Sequence, residues 1–253
     1  MTEEGIIYGL IGTSLSHSFS MDFFNQKFIS EGIDAQYFNF ELNDIGELMT
    51  IFSEYPNLDG LNVTMPYKEK VIPFMDQLDE TAEMVGAVNV IKIIKGTSAG
   101  VIKLVGYNTD FLGFKNSIEP LLTSEMDKAL VLGTGGSSKA VKAGLESLGL
   151  SVDFVSRRKT ATTITYEELT KQMINAHKVI VNTTPLGTYP NTDVCPDIPY
   201  RFLTPSHLCY DLVYNPSETM FMKNSAAAGA VVKNGLEMLL LQAFESYRIW
   251  TEG

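Results

Sequence analysis

The chain has 253 residues, of which 45% are hydrophobic and 19% are charged, as is usual for one large or two smaller globular domains. Its net charge of −11 argues against nucleic acid as the main partner. No apolar run approaches the roughly 20 residues of a membrane-spanning helix, and the acidic start Thr2-Glu3-Glu4 does not resemble a signal peptide.

The chain contains two cysteines, Cys195 and Cys209, and three scattered histidines. Two cysteines are too few for a disulfide framework, and neither residue type has the spacing of a metal site. We therefore expect a cytoplasmic protein that binds no metal ion, no membrane and no nucleic acid.

The first predicted strand, residues 6–12, is followed by a loop rich in hydroxyl groups, which contains Ser14, Ser16 and Ser18. A helix with an apolar stripe begins near Phe19. One of the serines could cap this helix, but a cap uses a single hydroxyl. The cluster therefore also suits a ligand that is rich in hydroxyl and carboxylate groups.

A second polar strand end occurs at Asn62 and Thr64, after an apolar stretch that begins at Leu58. Pro66 predicts that a short helix begins there, because proline is tolerated in the first turn of a helix. Lys68 would then lie near the end of the strand, where α/β proteins bind ligands. A solvated surface lysine is the common alternative, but a partly buried lysine can exchange protons in catalysis.

Residues 86–91 predict a strand that carries one polar residue, Asn89. A buried asparagine in a strand must be hydrogen-bonded. A neighbouring backbone group and a ligand are about equally good candidates for its partner.

Residues 90–106 predict a β-hairpin with its turn at residues 95–100. The second strand of this hairpin ends in Asn108-Thr109-Asp110, directly before a predicted helix. Asp110 is therefore a candidate partner for Lys68.

The strand–helix pattern then restarts. A short buried strand, residues 128–132, runs into Gly133-Thr134-Gly135-Gly136, an amphipathic helix follows, and residues 152–155 predict the next strand. This is a βαβ unit, in which glycines let the backbone approach a pyrophosphate at the helix N-terminus. Ser138 stands where the strict G-x-G-x-x-G pattern has its third glycine.

The second strand of this unit ends in Ser156-Arg157-Arg158-Lys159. An NAD site usually has an acidic residue here, whereas an NADP site has arginine for the 2′-phosphate. The basic residues therefore favour NADP, although a solvated basic turn is the alternative.

Later strands end in Asn182-Thr183-Thr184 and, after residues 208–213, in Tyr214. A final helix begins near Gly235 and contains Met238. It also carries Gln242 within an apolar run, where a glutamine is often a satisfied interfacial residue.

Taken in order, these motifs resemble the shikimate dehydrogenase family over nearly the whole chain. The motifs are Ser-x-Ser-His-Ser from Ser14, Asn-Val-Thr-x-Pro-x-Lys from Asn62, Gly-Ala-Val-Asn from Gly86, Asn-Thr-Asp from Asn108, Gly-x-Gly-Gly from Gly133, Asn-x-Thr-Pro-x-Gly from Asn182, Asp-Leu-Val-Tyr-Asn-Pro from Asp211, and Gly-x-x-Met-x-x-x-Gln from Gly235. Each motif is modest alone, but the series is specific.

The resemblance implies roles for individual residues, with Lys68 and Asp110 as the catalytic pair. The residues expected to bind shikimate are Ser14, Ser16, Thr64, Asn89, Asp110 and Gln242, with Asn62, Lys68 and Tyr214 beside them. The residues expected to bind NADP are Gly133, Gly135 and Gly136 at the pyrophosphate, Ser156, Arg157 and Arg158 at the adenosine phosphate, and Asn182, Thr183, Thr184, Val213, Gly235 and Met238 at the nicotinamide.

The resemblance also implies two α/β domains with a cleft between them. Residues 1–105 and 233–253 would form a substrate-binding domain with a mainly parallel sheet, and residues 106–232 a Rossmann-type NADP-binding domain. The expected reaction is the reversible NADPH-dependent reduction of 3-dehydroshikimate to shikimate, in the pathway to chorismate and the aromatic amino acids. The expected assembly is a monomer or a homodimer.

One motif departs from the family pattern. Members that use NADP often carry Asn-Arg-Thr-x-x-Arg after the second strand of the βαβ unit, whereas this chain has Ser156 first, Arg158 third and Ala161 last. Arg158 or Lys159 is then expected to take the place of the missing arginine.

Three alternatives remain open from the sequence. A quinate/shikimate dehydrogenase that accepts NAD has the same build. The folate-linked methylene dehydrogenases also pair a lysine with a Rossmann domain, but the serine loop and Asn108-Thr109-Asp110 argue against them. A non-catalytic sensor of shikimate or nucleotide is disfavoured because both Lys68 and Asp110 are present.

Overall fold

The computed structural model describes residues 5–16, 18–96 and 102–252. The chain divides into two compact units, Met1–Thr109 with Ala243–Gly253, and Asp110–Gln242. The sequence placed the corresponding boundaries after residues 105 and 232. His17 and residues 97–100, which form most of the predicted hairpin turn, lie outside the described residues.

The first unit contains a six-stranded sheet in the order β2-β1-β3-β5-β6-β4. Its strands are β1 Ile6–Gly12, β2 Ala35–Glu41, β3 Leu58–Val63, β4 Gln77–Leu78, β5 Val90–Lys95 and β6 Ile102–Tyr107. Strand β1 is parallel to β2 and β3, β4 is parallel to β6, and β5 is antiparallel to both of its neighbours. The carboxyl ends of β1, β2, β3 and β6 and the amino end of β5 therefore meet at one edge.

Three helices follow strands of this sheet: α1 Phe19–Glu31, α2 Leu48–Glu54 and α3 Glu80–Val85. The Ser18 hydroxyl caps α1 by accepting a hydrogen bond from Ser20 N at 3.3 Å. The Asp79 carboxylate caps α3 through Ala82 N at 2.9 Å. Because Ser18 supplies the cap of α1, Ser14 and Ser16 are not needed for it.

The second unit contains a six-stranded sheet in which every pair of neighbours is parallel. Its strands are β7 Lys128–Leu132, β8 Ser151–Ser156, β9 Thr163–Thr165, β10 Val179–Asn182, β11 Leu208–Asp211 and β12 Val231–Lys233. The order β12-β11-β10-β7-β8-β9, read from the β9 edge, is third, second, first, fourth, fifth, sixth. This is the strand order of dinucleotide-binding Rossmann folds, and it confirms the predicted fold class.

Five helices follow β6 along the chain: α4 Thr109–Ile118, α5 Gly136–Ser147, α6 Lys171–Ala176, α7 Met220–Ala227 and α8 Leu236–Thr251. Along β7, Ala129 and Val131 join one apolar cluster of the second unit, while Leu130 and Leu132 join the other. This alternation follows from the period of two along a strand. Strands buried on both faces explain why the sequence shows continuous apolar runs.

The end of α8 completes the core of the first unit. The Trp250 ring stacks on Tyr8 with a centroid distance of 4.7 Å, and its indole nitrogen donates a hydrogen bond to Ile91 O at 3.1 Å. A side chain at Gly60 of β3 would collide with the Trp250 ring. The glycine therefore lets the helix lie directly on the strand.

Two predicted elements differ from the structure. No helix begins at Pro66: the Met65–Pro66 peptide bond is cis, and Thr64 O accepts a hydrogen bond from Tyr67 N at 2.9 Å, which closes a turn. Asn89 lies directly before β5 instead of within a strand that begins at Gly86. The antiparallel pairing of β5 with β6 is as predicted.

Four short elements, β4, β9, β12 and α6, are not predicted by the sequence. Each has only two to six residues, which is too short for a periodic pattern. Within the described residues, no helix combines the length and the apolar character that a membrane crossing requires.

Candidate active site

The serine loop after β1 is held by the neighbouring strand β2. Leu15 N donates a hydrogen bond to the Glu41 carboxylate at 2.6 Å, and the Asn39 amide donates to Leu15 O at 3.0 Å. The Leu15 side chain is buried, whereas Ser14 and Ser16 on either side of it are exposed. Anchoring the middle residue in this way presents both flanking hydroxyls to solvent.

Gly12 at the end of β1 brings this loop close to Thr64 at the end of β3. A Cβ at position 12 would lie 2.6 Å from Leu15 Cδ2 and 2.7 Å from Thr64 Cγ2. A larger residue would therefore push the two segments apart. The structure thus places Ser14, Ser16 and Thr64 at the same edge of the sheet.

Asn62 is buried at the end of β3, with 6% of its surface exposed. Its carbonyl oxygen accepts a hydrogen bond from the Tyr37 hydroxyl at 2.7 Å. Its amide nitrogen donates to Ser246 Oγ at 3.0 Å and to Asn89 O at 3.3 Å. Because both amide hydrogens are used within the protein, the geometry favours a supporting role for Asn62 beside the site.

A series of hydrogen bonds connects the Lys68 segment with the start of α4. Lys68 O accepts from Val88 N at 2.7 Å. The next residue, Asn89, donates to Thr109 Oγ1 at 2.9 Å and accepts from Thr109 N at 2.7 Å. Asp110 follows Thr109 directly and is 7% exposed. The Asn89 side chain therefore fixes the backbone next to Asp110.

Two residues that support this edge of the sheet are not predicted from the sequence. Thr109, within the Asn108-Thr109-Asp110 motif, receives the Asn89 contacts and lies 3.3 Å from Ser246 Oγ. Ser246 also receives the Asn62 amide. The only sequence signal for Ser246 was a small polar residue on the apolar face of the last helix.

In the second unit, the glycine loop after β7 lies against the end of β10. Gly133 has a φ of +108°, which favours glycine. A Cβ there would lie 2.8 Å from Thr183 Oγ1 and 3.1 Å from Thr184 Cγ2. Thr183 is fixed in turn, because its hydroxyl donates to Leu132 O at 2.7 Å.

The N-terminus of α5 lies where the glycine motif predicts a pyrophosphate. Gly135 is the N-cap, so no side chain of that residue satisfies the first N–H groups of this 12-residue helix. Ser138, which replaces the third glycine of the motif, turns its hydroxyl back to Gly135 O at 2.6 Å and is buried. The Ser138 hydroxyl is therefore used within this first turn of the helix.

A buried hydrogen-bond network joins the ends of β10 and β11. The Asn182 amide donates to Asp211 Oδ1 at 2.9 Å, and the Asn182 carbonyl oxygen accepts from Thr184 N at 3.0 Å. Asp211 also accepts from Val213 N at 3.0 Å and from the Thr219 hydroxyl at 2.6 Å. Burial raises the pKa of Asp211 to about 6, and these three donors partly oppose the rise.

The predicted nicotinamide residues near α8 are closely packed. Gly235 N donates to Val213 O at 3.2 Å, and a side chain at Gly235 would collide with Leu212 O. Met238 is buried on the first turn of α8. Gln242, on the same helix, donates to Leu239 O at 2.9 Å.

The remaining predicted residues are more exposed. Ser156 and Tyr214 are half-buried, and Arg157 and Arg158 are exposed after the end of β8. Among the described residues, no group of three or more His, Cys, Asp or Glu side chains is arranged to hold a metal ion.

Comparison with known proteins identifies the family. The family model of the shikimate dehydrogenase substrate-binding domain matches residues 10–91. A relative from Caldicellulosiruptor saccharolyticus, named shikimate dehydrogenase (NADP(+)), is 35% identical over 95% of this chain and 90% of its own length. The chain belongs to the shikimate dehydrogenase family. The predicted family is therefore confirmed.

Solved structures of shikimate dehydrogenases share the whole fold. The enzyme from Aquifex aeolicus has a TM-score of 0.85 and 32% identity, covering 100% of this chain and 95% of that one. The enzyme from Thermus thermophilus, solved in complex with NADP(H) and shikimate, has a TM-score of 0.83 and 26% identity, covering 97% and 93%.

The matched range of the shikimate dehydrogenase substrate-binding domain includes Ser14, Ser16, Thr64, Lys68 and Asn89. These residues lie in the segments that the structure brings to one edge of the first sheet. Their individual roles, and those of all the other predicted site residues, stay predictions.

Proposed function

We propose that the chain is an NADP-dependent shikimate dehydrogenase that reversibly reduces 3-dehydroshikimate to shikimate. The main support from the structure is the hydrogen-bonded path from Lys68 O through Val88 and Asn89 to Thr109, next to Asp110. This path fixes the backbone at Lys68 and at Thr109, the residue before Asp110. The family assignment over nearly the whole chain supports the same reaction.

In this proposal Lys68 is the general acid for reduction. Bound NADPH supplies the hydride to the carbonyl carbon of the substrate. The Lys68 ammonium donates a hydrogen bond and then a proton to the carbonyl oxygen as that oxygen gains negative charge. Asp110 orients the lysine and accepts hydrogen bonds from ring hydroxyls.

The other residues bind and position the substrate. Ser14 and Ser16 offer exposed hydroxyls on an anchored loop, which suits the carboxylate and hydroxyl groups of shikimate. The remaining proposed substrate contacts are Thr64, Asn89 and Gln242, with Asn62 and Tyr214 beside them. The hydrogen bond from the Asn62 amide to Asn89 O supports a role for Asn62 in positioning Asn89.

The proposed NADP contacts lie mainly in the loops that follow strands of the second unit's sheet. Gly133, Gly135 and Gly136 would hold the pyrophosphate, because the φ of Gly133 and the N-terminus of α5 fit this group. Ser156, Arg157 and Arg158 would hold the adenosine 2′-phosphate. The proposed nicotinamide contacts are Asn182, Thr183, Thr184, Val213, Gly235 and Met238.

We further propose that residues 1–105 and 233–253 serve the substrate and residues 106–232 the nucleotide. We also propose that the protein is located in the cytoplasm, whose reducing environment keeps thiols such as those of Cys195 and Cys209 free. A monomer or a homodimer is the proposed assembly.

The test follows the absorbance of the reduced nucleotide, NADPH or NADH, that the purified protein forms. Shikimate and quinate are each supplied with NADP⁺ and with NAD⁺, and the four kcat/KM values are compared. The proposal expects the highest value for shikimate with NADP⁺. A higher value for quinate with NAD⁺ would select the alternative, and no absorbance change with any pair would remove the catalytic proposal.

A further inference from the structure

The basic turn, residues 157–159, is fixed to β9 by Thr163. The Thr163 hydroxyl donates to Arg158 O at 3.1 Å and accepts from Thr160 N at 2.9 Å. These contacts hold the backbone on both sides of Lys159. The basic turn is therefore a defined structure next to the end of β8.

Glu168 faces this turn from the segment that follows β9. Its carboxylate accepts a hydrogen bond from Thr165 N at 2.9 Å, in a capping box with the Thr165 side chain. Thr165 pairs with Ser156 in the register of β8 and β9. The Glu168 carboxylate is thus fixed beside the strand end where Rossmann proteins bind the adenosine ribose.

The second oxygen of Glu168 forms an ion pair with Lys159. This ion pair lowers the pKa of Glu168, so the carboxylate is charged at neutral pH. Within the described ranges, neither Arg157 nor Arg158 forms an ion pair. One of the three positive charges of the basic turn is therefore neutralised by the protein itself.

Resting on the proposed function, we infer that Glu168 is a specificity-determining residue that reduces the preference for NADP over NAD. It holds the Lys159 ammonium and places a negative charge at the strand end that receives the 2′-phosphate. The 2′-phosphate monoester carries about −1.5 to −2 charges at neutral pH. NAD lacks this group, so its binding does not respond to the same charge.

This arrangement gives the missing arginine a physical consequence. The family resemblance implies a second arginine at the position of Ala161, and Lys159 is the nearest basic residue to it in sequence. Because the Lys159 ammonium is paired with the Glu168 carboxylate, the lysine does not substitute fully for that arginine. Arg157 and Arg158 carry the phosphate recognition.

The experiment is a calorimetric titration of the full chain with NADP⁺, NAD⁺, 2′,5′-ADP and 5′-AMP. Glu168→Gln removes the charge but keeps an oxygen for the capping box, because glutamine also serves in this motif. We expect NADP⁺ and 2′,5′-ADP to bind about three- to tenfold more tightly, with NAD⁺ and 5′-AMP changed less than about twofold. The gain should shrink at high salt, because exposed charges are screened.

Two controls separate this effect from a general change in charge. Glu167→Gln removes a charge one residue away, on an exposed side chain, and should leave the ratio of NADP⁺ to NAD⁺ affinity within about twofold. In a double-mutant cycle, Lys159→Gln should weaken NADP⁺ binding more in the Glu168→Gln background than in the wild type, because the lysine can serve the phosphate fully only when Glu168 no longer holds it. Far-ultraviolet circular dichroism checks that each variant is folded.

Equal changes for NADP⁺ and NAD⁺, or equal effects of Glu167→Gln and Glu168→Gln, would overturn the inference. These results concern binding alone. A chain that binds NADP⁺ but does not oxidise shikimate would contradict the proposed function while leaving the role of Glu168 to be judged from the affinities.

Discussion

The Asn182 amide donates a 2.9 Å hydrogen bond to the fully buried carboxylate of Asp211, at the adjoining ends of the parallel strands β10 and β11. Asp211 also fixes Val213 N. Asn182 fixes Thr184 through its carbonyl oxygen. One buried carboxylate therefore orders both loops that are proposed to line the nicotinamide.

Replacing Asp211 with alanine should affect both stability and cofactor binding. The change removes the acceptor of the Asn182 amide, Val213 N and the Thr219 hydroxyl. Each buried donor that is left unsatisfied costs about 1–3 kcal/mol. We expect a lower free energy of unfolding by roughly 2–4 kcal/mol in urea titrations. The KM for NADP⁺ should rise more than the KM for shikimate.

Asp211→Asn separates the charge from the packing. The pKa of Asp211 is raised from 3.8 to about 6 in the folded chain, so the folded state binds more protons than the unfolded state between these values. The contribution of Asp211 to stability therefore falls as pH rises from about 4 to about 6. The wild type should lose stability relative to Asp211→Asn over that range, and parallel pH profiles would contradict this assignment.

The anchor of the serine loop gives a prediction for the KM of shikimate. Glu41→Ala removes the acceptor of Leu15 N, so the loop that carries Ser14 and Ser16 loses one of the two hydrogen bonds to β2 described above. A hydrogen bond to a charged group contributes about 1.5–3 kcal/mol. Because Glu41 is exposed and water can replace it, we expect only about a three- to tenfold rise in the KM for shikimate.

The KM for NADP⁺ should not change in this variant. Glu54→Ala, which removes an exposed carboxylate from the end of α2, is the control for net charge. An equal rise in both KM values, or the same effect from Glu54→Ala, would show that the Glu41 contact does not position the loop.

The parts of the site that the sequence predicted best are built from local segments. The glycine loop at Gly133 follows a short apolar strand and precedes a helix, so its fold depends mostly on neighbouring residues. The same holds for Asn182, which ends a buried strand and folds the next two residues around its own side chain. Strand ends of this kind are visible as a polar residue after an apolar run.

Contacts between residues that are distant in the chain could not be predicted from such local sequence patterns. Asn62 and Ser246 are hydrogen-bonded across 184 positions, and Thr109 and Ser246 are in contact across 137 positions. Neither pair has a local signal, because each depends on how α8 packs on the sheet. The cis bond before Pro66 is also set by tertiary context, since the local preference of proline between the two isomers is small.

His207 gives a prediction for stability as a function of pH. Its ring is fully buried, Nε2 lies 3.0 Å from Ile174 O, and Nδ1 accepts from Thr204 N at 3.0 Å. Burial lowers the pKa of His207 below 6.5, helped by the positive charge of Lys178. The unfolded state therefore binds more protons below pH 6.5, and the contribution of His207 to stability decreases as pH falls through that value.

His207→Gln removes this titration. In urea titrations at pH 7 and pH 5, the wild type should lose more unfolding free energy than the variant, while the two should respond alike between pH 7 and pH 8. If the variant is too unstable for urea titrations, the pH titration of the His207 ring in the folded wild type, followed by NMR, gives the same test. A ring that titrates at or above 6.5 would contradict the prediction.

Lys68→Ala tests the proposed acid directly. In shikimate oxidation Lys68 acts in the reverse direction, as the general base that removes the hydroxyl proton. General acid–base catalysis contributes about 10²–10⁴ in rate, so kcat for shikimate oxidation should fall by about that factor, with a much smaller change in substrate affinity. Lys70→Ala is the matched control, because Lys70 lies two positions away and is exposed, with its ammonium 6.0 Å from the Tyr67 ring. The two variants have the same net charge, so a difference between them reports the role of Lys68. An unchanged kcat in Lys68→Ala, or an equal loss in both variants, would remove Lys68 from the mechanism.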